Sequence, residues 1–332
     1  MSRFSFARRK LHGSIVALAG LSLLSLSGWA QAAWPDRPIQ MVVPFPAGSS
    51  PDTLARAIAK PLAEDLGQAV VVENKPGAGG NIGTRYASQA KPDGYTILLT
   101  INGPMVTAPT LYKKTLGYDP LKDLAPITLV GTSPNVLVVP ADSPAKNVQE
   151  FVQLAKSKPG HLNYGTVGPG SSSHLGMAML EHEAGIRLQQ IPYSGFPQIV
   201  TSILAGDIDA GFMVPGIAMS QVNAGKARAL AITSLEASDV LPGIPTMADQ
   251  GFPAFESISW DAIFVPAGTP DDIVKKLNTS IRAILDQDEV RKKMAALYFT
   301  PAPSTPEELT QLVVDEKARW DEVINRLNLS LD

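Results

Sequence analysis

Two loops of this 332-residue chain carry the residues best suited to bind an anion. Residues 44–52 follow an apolar run and precede a helical pattern, and residues 168–174 repeat this arrangement with glycines and three consecutive serines. The first-turn N–H groups of a helix lack an intrahelical partner and carry the positive end of the helix dipole, so they attract a carboxylate or phosphate. The alternative is that both loops are ordinary helix caps without a ligand, since serine and aspartate are favoured there.

The first loop reads Pro-Phe-Pro-Ala-Gly-Ser-Ser-Pro-Asp. Gly48 permits backbone angles and a close approach by a ligand that other residues do not. The hydroxyls of Ser49 and Ser50 add hydrogen-bond donors. Asp52 would repel an anion, so we expect it to cap the helix or to brace the loop.

Ser171 and His174 raise the possibility of hydrolase chemistry. A serine nucleophile also needs an orienting acid and an oxyanion hole; the sequence shows neither, and the segment is not G-x-S-x-G. We expect His174 to be a first-turn helix residue that is bonded locally. No pair of carboxylates can be placed for glycoside hydrolysis. Asp207 is expected in a solvated turn, and Asp209 as a brace for the floor of a cleft.

The sequence predicts neither a metal nor a cofactor. It has no cysteine, and its four histidines, at positions 12, 161, 174 and 182, show no H-E-x-x-H spacing. The glycine cluster at residues 77–80 lacks the G-x-G-x-x-G spacing of a dinucleotide loop, so we expect a tight entry to a helix. A chain of this length can bury a core without disulfides.

The N-terminus has the three parts of a secretory signal peptide in order. Four basic residues lie within the first ten positions, residues 15–26 are apolar, and alanines at positions 30 and 32 suit a signal peptidase. We predict a signal peptide over residues 1–32 and a periplasmic, monomeric mature protein; the alternative is an uncleaved membrane anchor. Removal of the four basic residues changes the formal net charge from −3 to −7, which argues against nucleic acid and membrane surfaces as partners.

Beyond this segment, strands, loops and helices alternate, which predicts an α/β fold with mainly parallel sheets. We expect strands at about residues 39–43, 70–72, 95–99, 135–139, 162–166, 189–192, 210–213, 229–233 and 262–266. We expect helices at about residues 53–66, 77–90, 148–157, 174–184, 197–204, 270–285 and 306–327.

A mature length of about 300 residues predicts two lobes. We expect residues 33–130 to form the first part of lobe 1 and residues 131–257 to form lobe 2. Residues 258–332 should return to lobe 1, with the C-terminal helices packed on it. Because open α/β sheets bind ligands at the carboxyl ends of their strands, the two candidate loops should face one another across a cleft.

Short segments spread over nearly the whole mature chain resemble one family, the tripartite tricarboxylate transporter substrate-binding proteins, or Bug receptors. No single segment is decisive, but all occur in the order typical of the family. They include residues 34–39 (WPDRPI), 42–48 (VVPFPAG), 72–80 (VENKPGAGG), 91–95 (KPDGY), 170–175 (GSSSHL), 192–193 (PY) and 266–270 (PAGTP).

The resemblance implies a type 2 periplasmic binding protein fold, with two Rossmann-like lobes joined by a two-strand hinge. It implies a receptor that captures a di- or tricarboxylate, an amino acid or an aromatic acid, performs no catalysis, and delivers its ligand to a tripartite tricarboxylate-type permease. Family members grip a carboxylate with both loops, and their Pro-Tyr-x-Gly segment also lines the cleft. The residues expected to bind ligand are Phe45, Pro46, Ala47, Gly48, Ser49, Ser50, Asp52, Asn102, Thr166, Gly168, Gly170, Ser171, Ser172, Ser173, Tyr193, Ser194, Gly195 and Asp209.

Two positions depart from the family pattern. Ser49 stands where the family usually has glycine, and Ser194 stands where it often has lysine. The cleft should therefore hold an extra hydroxyl and lack one positive charge. We expect a less charged ligand or one with a longer apolar body, such as benzoate or terephthalate. Two alternatives stay open: a sensing subunit that presents its ligand to a signalling kinase, and a secreted serine hydrolase.

Overall fold

The computed structural model describes residues 34–168 and 170–332 of the chain. The predicted signal peptide, residues 1–32, lies outside the described residues. Within the described part, strands and helices alternate, and the α/β class expected from the sequence is confirmed. No helix of this part is long and apolar enough to cross a membrane.

A six-stranded sheet takes its strands from both ends of the described chain. Its order is β11-β4-β10-β3-β1-β2, in which β1 is parallel to β2 and β3 and the other pairings are antiparallel. We call this sheet and the helices packed on it the first lobe. The strands are β1 (Ile39–Val43), β2 (Val70–Asn74), β3 (Thr96–Ile101), β4 (Leu124–Pro134), β10 (Ile258–Pro266) and β11 (Thr300–Pro301).

The expectation of mainly parallel sheets is wrong. The 11-residue strand β4 pairs antiparallel with β10 along its whole length, and the sequence analysis placed no strand there. Two prolines and a glycine interrupt its apolar pattern, and proline is unfavourable within a sheet because it cannot donate to the ladder. In the structure, register shifts along the β4–β10 pair accommodate this irregular sequence.

The second lobe contains a three-stranded and a two-stranded sheet. In the first, β5 (Val136–Pro140) lies between β8 (Gly211–Met213) and β9 (Ala227–Ile232) and is antiparallel to both. In the second, β6 (Asn163–Thr166) and β7 (Gln189–Pro192) are parallel. A backbone hydrogen bond of 3.0 Å from the N–H of Gly165 to the carbonyl of Ala210 connects the two sheets.

The helices cover the sheets of both lobes. In chain order they are α1 (Ser50–Leu66), α2 (Asn81–Ser88), α3 (Ala108–Leu111), α4 (Val148–Ser157), α5 (Ser172–Ala184), α6 (Phe196–Ala205), α7 (Pro215–Asn223), α8 (Asp271–Leu285), α9 (Asp288–Ala296) and α10 (Pro306–Arg326). Helices α4 to α7 belong to the second lobe. The C-terminal helix α10 packs Leu309, Val313 and Trp320 into the first-lobe core, against Trp260 of β10.

Two helices begin earlier than the apolar pattern predicted, and three were not predicted. Helix α1 begins at Ser50 rather than residue 53, because Pro51 suits a first helical turn but gives no apolar signal. Helix α5 begins at Ser172 rather than residue 174, because the serines of its first turn also give no apolar signal. Helices α3, α7 and α9 are short, and the sequence analysis did not separate them from loops or from neighbouring helices.

The chain passes between the lobes at two adjacent points, after β4 and before β10. Asn135 alone separates β4 from β5, and its N–H donates to Thr233 Oγ1 at 2.8 Å. The Asn135 side-chain amide donates to the carbonyl of Ser257 at 3.1 Å, and Thr233 Oγ1 donates to that same carbonyl at 2.7 Å. All three residues are buried. The two crossing segments therefore form one hydrogen-bonded, two-strand hinge.

We predict that Gly83→Ala destabilises the first lobe. Gly83 lies in α2, where a Cβ atom would stand 2.6 Å from the carbonyl oxygen of Lys75 and 2.9 Å from Cα of Pro44. The backbone would have to move, at a cost of about 1–3 kcal/mol. Urea unfolding of the purified protein measures this change in the free energy of unfolding.

Gly216→Ala is the matched control for this substitution. Gly216 lies in α7 and has nothing within 4 Å of its Cβ position. Alanine there should raise the free energy of unfolding by about 0.5–1 kcal/mol, because alanine is the better helix former. Equal stability of the Gly83→Ala variant and the wild type would contradict the close packing of α2 on its neighbouring strands.

Candidate functional site

A cavity of about 550 Å³ lies where the two lobes meet. Phe45, Gly79 and Asn102 of the first lobe line it, and Ser171 and Phe196 line it from the second lobe. These residues follow the carboxyl ends of strands or lie at the starts of helices. Ligands of α/β folds bind at this end of the strands. The volume suits a small organic molecule.

Several helices begin at the wall of this cavity. Asn81 and Phe196 are the first residues of α2 and α6, and both line the cavity. Ser171 and Val214, the N-caps of α5 and α7, also line it. Because the first-turn N–H groups of each helix lack an intrahelical acceptor and carry partial positive charge, these helix starts make the cavity favourable for an anion.

None of the described residues that line the cavity has a charged side chain. Its polar side chains are amides and hydroxyls, and those of Ser172 and Ser259 bond to no other described residue. Much of the remaining wall is apolar, including Leu111, Leu175 and Trp320. The site therefore combines neutral hydrogen-bond donors with a large apolar surface.

Asn81 is a buried polar residue of the wall that the sequence analysis did not identify. Its Oδ1 lies 3.2 Å from the hydroxyl of Tyr118, which also donates to the carbonyl of Pro104 at 2.8 Å. Burial raises the pKa of Tyr118, so the hydroxyl stays protonated. The preceding Gly80 has φ of 101°, and a Cβ there would be 2.8 Å from the ring of Phe45. The glycine cluster thus forms part of the wall as well as starting a helix.

The loop before α5 is held by its own hydroxyls. Ser171 Oγ donates to the carbonyl of Gly168 at 2.7 Å, and the N–H of Val167 donates to Ser173 Oγ at 3.1 Å. Ser173 is fully buried. Ser172, by contrast, lines the cavity and has no side-chain partner among the described residues. Of the three serines, Ser172 is the one whose hydroxyl is available to a ligand.

His174 belongs to the same loop and is bonded locally, as the sequence indicated. The N–H of Gly170 donates to His174 Nδ1 at 3.0 Å, and the N–H of His174 donates to Ser171 Oγ at 3.3 Å. Burial lowers the pKa of His174 and favours the neutral imidazole that this first bond requires. The Ser171 hydroxyl donates to a carbonyl rather than to His174, so the two do not form an activated nucleophile.

The loop over residues 44–52 reaches the cavity through Phe45. Four other predicted ligand-binding residues of this loop are exposed beside it: Pro46, Ala47, Gly48 and Ser50. Ser49 is the N-cap of α1, but its hydroxyl makes no capping bond. Its Oγ is buried without a partner among the described residues.

Asp52 braces this loop. Its carboxylate accepts the N–H of Gly48 at 2.8 Å, the amide of Asn74 at 2.9 Å and the guanidinium of Arg56 at 2.9 Å. Burial raises the pKa of Asp52, but the hydrogen bonds from Arg56, Gly48 and Asn74 outweigh burial and lower it below its ordinary value. With its acceptors occupied, Asp52 fixes the backbone rather than facing a ligand.

Asn102 and Thr166 hold the walls in place from either lobe. Asn102 lines the cavity, and its side-chain amide donates to the carbonyl of Ile258 at 3.1 Å, which ties the wall to β10. Thr166 is fully buried, and its hydroxyl accepts the N–H of Gly168 at 3.3 Å. The N–H of Tyr193 donates to the carbonyl of Thr166 at 2.8 Å. Thr166 therefore supports the loop from below.

Ser194, Gly195 and Asp209 do not line the cavity. Ser194 is exposed, Gly195 is the N-cap of α6, and Phe196 occupies the wall. Asp209 accepts the N–H of Asn163 at 2.8 Å, at the amino end of β6. Because the carboxyl end of β6 leads into the cavity loop, the expectation that Asp209 braces the cleft floor is wrong; it braces the opposite end of the strands.

Two α/β lobes, joined by two strands and enclosing a cavity lined by helix starts, define a solute-binding protein of the periplasmic type. Residues 54–329 match the tripartite tricarboxylate transporter family receptor, and the chain belongs to that family. The related structures are substrate-binding proteins. The protein is accordingly a receptor and not an enzyme, and the hydrolase alternative is excluded.

Three solved structures illustrate the similarity. The periplasmic binding protein BugD is 36% identical with a TM-score of 0.74, covering 90% of this chain and 99% of BugD. Rpa4515 of R. palustris, solved with adipate, is 32% identical with a TM-score of 0.78, covering 90% of this chain and 99% of Rpa4515. MatC of Rhodopseudomonas palustris, solved with malate, is 33% identical with a TM-score of 0.74, covering 88% of this chain and 100% of MatC.

We predict that Asn81→Asp weakens the binding of a carboxylate at least about tenfold at neutral or alkaline pH, because it places a like charge in a partly desolvated site. Calorimetric titration with adipate and benzoate measures the change. Asn147→Asp is the matched control, because Asn147 caps α4 outside the cavity. The affinity of this variant for both acids should equal that of the wild type. Unchanged binding by the Asn81→Asp variant would exclude Asn81 from the ligand site.

Proposed function

We propose that this protein captures a small organic carboxylate with an apolar body in the cavity between its lobes. The observation that carries the proposal is the composition of the wall, which joins helix starts and neutral donors to apolar side chains and contains no charged side chain among the described residues. Helix starts and hydroxyls suit one carboxylate group. The apolar side chains suit a hydrocarbon chain or an aromatic ring.

The apolar wall favours the body of such a ligand energetically. Leu111, Leu175, Phe196, Trp320 and Leu331 contribute to it. Burial of apolar surface stabilises a complex by about 25 cal/mol per Å², so a buried aromatic ring or a chain of methylenes contributes on the order of 2–3 kcal/mol. A hydroxylated acid such as malate or citrate gains less there, because its hydroxyl must also lose water and it offers less hydrocarbon surface to the apolar wall.

The related structures support the ligand class. Rpa4515 was solved with adipate and MatC with malate, which are both small organic carboxylates. Adipate carries a run of methylenes between its carboxylates, so it resembles the proposed ligand more closely than malate does. We propose that this protein also binds a small organic carboxylate and that it prefers acids with a large hydrocarbon part. Benzoate, terephthalate and adipate are the leading examples.

Export and delivery form the rest of the proposal. The segment over residues 1–32 directs the chain to the periplasm, and the receptor delivers its ligand to a tripartite tricarboxylate-type permease. Family membership supports this role. Closure of the two lobes about the hinge at Asn135 and Ser257 would enclose the ligand during delivery. In this proposal the second lobe extends from Asn135 to Ser257, and the residues on either side form the first lobe.

Calorimetric titration with benzoate, terephthalate, adipate, malate and citrate tests the ligand class. We expect the first three acids to bind at least about tenfold more tightly than the last two, a difference of about 1.4 kcal/mol. Benzamide, which lacks the charge, is the control and should not bind. Because Trp320 lines the cavity, intrinsic fluorescence gives a second readout.

The outcomes of this titration separate two levels of the proposal. Tightest binding of malate or citrate would contradict the apolar preference but not carboxylate capture. Absence of binding by every acid, or equal binding of benzamide and benzoate, would contradict carboxylate capture itself.

The uncharged wall also predicts a weak dependence on salt. Dissolved salt screens the attraction between full charges. In this cavity the carboxylate would instead contact the partial charges of N–H and hydroxyl groups at short range, which salt screens less. We expect the dissociation constant for benzoate to change less than about threefold between low salt and about 0.5 M NaCl. A loss of affinity of tenfold or more would show that a cationic side chain contributes to the site.

A further inference from the structure

His174 connects the first turn of α5 to the loop that forms the cavity wall. The side chain is 7% exposed, and its Nδ1 accepts the N–H of Gly170 at 3.0 Å. A nitrogen can accept this bond only when it carries no proton. The imidazole must therefore be neutral, with its proton on Nε2, for the observed loop conformation to persist.

Gly170 is the residue through which a change at His174 would reach both the ligand and the other lobe. Gly170 lines the cavity together with Ser171 and Ser172. Its φ is 76°, and a Cβ atom there would lie 2.6 Å from Leu111 Cδ1 and 3.4 Å from Leu331 Cδ1, both in the first lobe. The loop has little room to shift without disturbing these contacts.

Burial, rather than a charged neighbour, determines the protonation of His174. The elements packed most closely on α5 are β6, β8 and α10. Burial is the cause that lowers the pKa of His174, and no charged neighbour contributes. On these elements, Lys317 interacts with Asp321 and Arg319 with Glu256 and Glu316, while Glu308 and Asp315 bond to Thr305 and Gln311. Tyr164 of β6 and Arg326 of α10 interact with Glu181 and Glu183, which lie on α5 itself.

We infer that His174 is a positioning residue that makes ligand capture sensitive to pH, through its hydrogen bond to the Gly170 backbone. The inference rests on the proposed carboxylate site. When His174 gains a proton, Nδ1 becomes a donor facing the donor N–H of Gly170, and the bond is lost. The loop then leaves the position in which Ser172 presents its hydroxyl to the cavity, so capture weakens in acid.

The direction follows from linkage. The native loop holds His174 neutral, so the pKa of His174 in the folded protein lies below its ordinary value. Affinity should be complete above about pH 6.5, the ordinary value for histidine, and should fall as the pH drops through the lowered pKa. Binding in that acidic range should release protons, because the complex requires the neutral form.

Calorimetric titration with benzoate, in steps from about pH 8 to about pH 4.5, tests this role in the wild type, His174→Asn and His174→Ala. Asparagine can place its Oδ1 where Nδ1 stands, and it does not titrate. We expect the wild type to lose at least about fivefold more affinity in acid than His174→Asn. The alanine variant should bind weakly throughout this range, and asparagine should recover most of that loss at about pH 8.

His182→Asn is the matched control, because His182 lies on the same helix but is exposed. It should keep the pH profile of the wild type. A wild-type pH profile in His174→Asn, or wild-type affinity in His174→Ala, would overturn the role of His174 alone. Failure of the wild type to bind benzoate or any other acid of the panel at about pH 8 would instead overturn the carboxylate site, and this inference with it.

Discussion

The character of the cavity between the lobes depends on the N–H groups at the starts of helices. The first turn of a helix leaves these donors without an acceptor, and burial of such donors is costly unless a partner is present. In this protein, α2, α5, α6 and α7 all begin at one cavity wall. The shared position follows from the α/β connections, in which several strands end where the next helix begins. A carboxylate bound there would supply acceptors to first-turn N–H groups that have no intrahelical partner.

The contact between the lobes uses the same residues as the cavity wall. Leu175 of the second lobe packs into the first-lobe core with Leu111 and Trp320, and all three line the cavity. Gly170 approaches Leu111 from the adjoining loop. A movement about the hinge at Asn135 would therefore change the ligand contacts and the lobe contact together. Two-lobed binding proteins require this coupling if ligand is to favour the closed arrangement over the open one.

The sequence predicts the loops but not every residue that lines the cavity. It indicates the α/β class, the family and the loop that contains Ser171 and Ser172, because glycines, serines and strand–helix order are local signals. It does not indicate Asn81, whose orientation depends on Tyr118, distant in the chain. Nor does it indicate β4, in which prolines conceal a strand that only pairing with β10 stabilises. Contacts made by distant segments leave no local pattern.

Selectivity in an uncharged cavity comes from the cost of removing water as much as from attraction. Each carboxylate that enters the site loses its hydration, and a desolvated charge is unfavourable unless hydrogen bonds replace that water. Helix starts and hydroxyls such as that of Ser172 can replace the water around a carboxylate, whereas side chains such as Leu175 offer nothing to the hydroxyl of malate or citrate. A cationic residue would lower this cost for acids of higher charge. Under the proposed function, its absence from the described wall disfavours acids that carry several polar groups on a short body, while the apolar surface favours a hydrocarbon body.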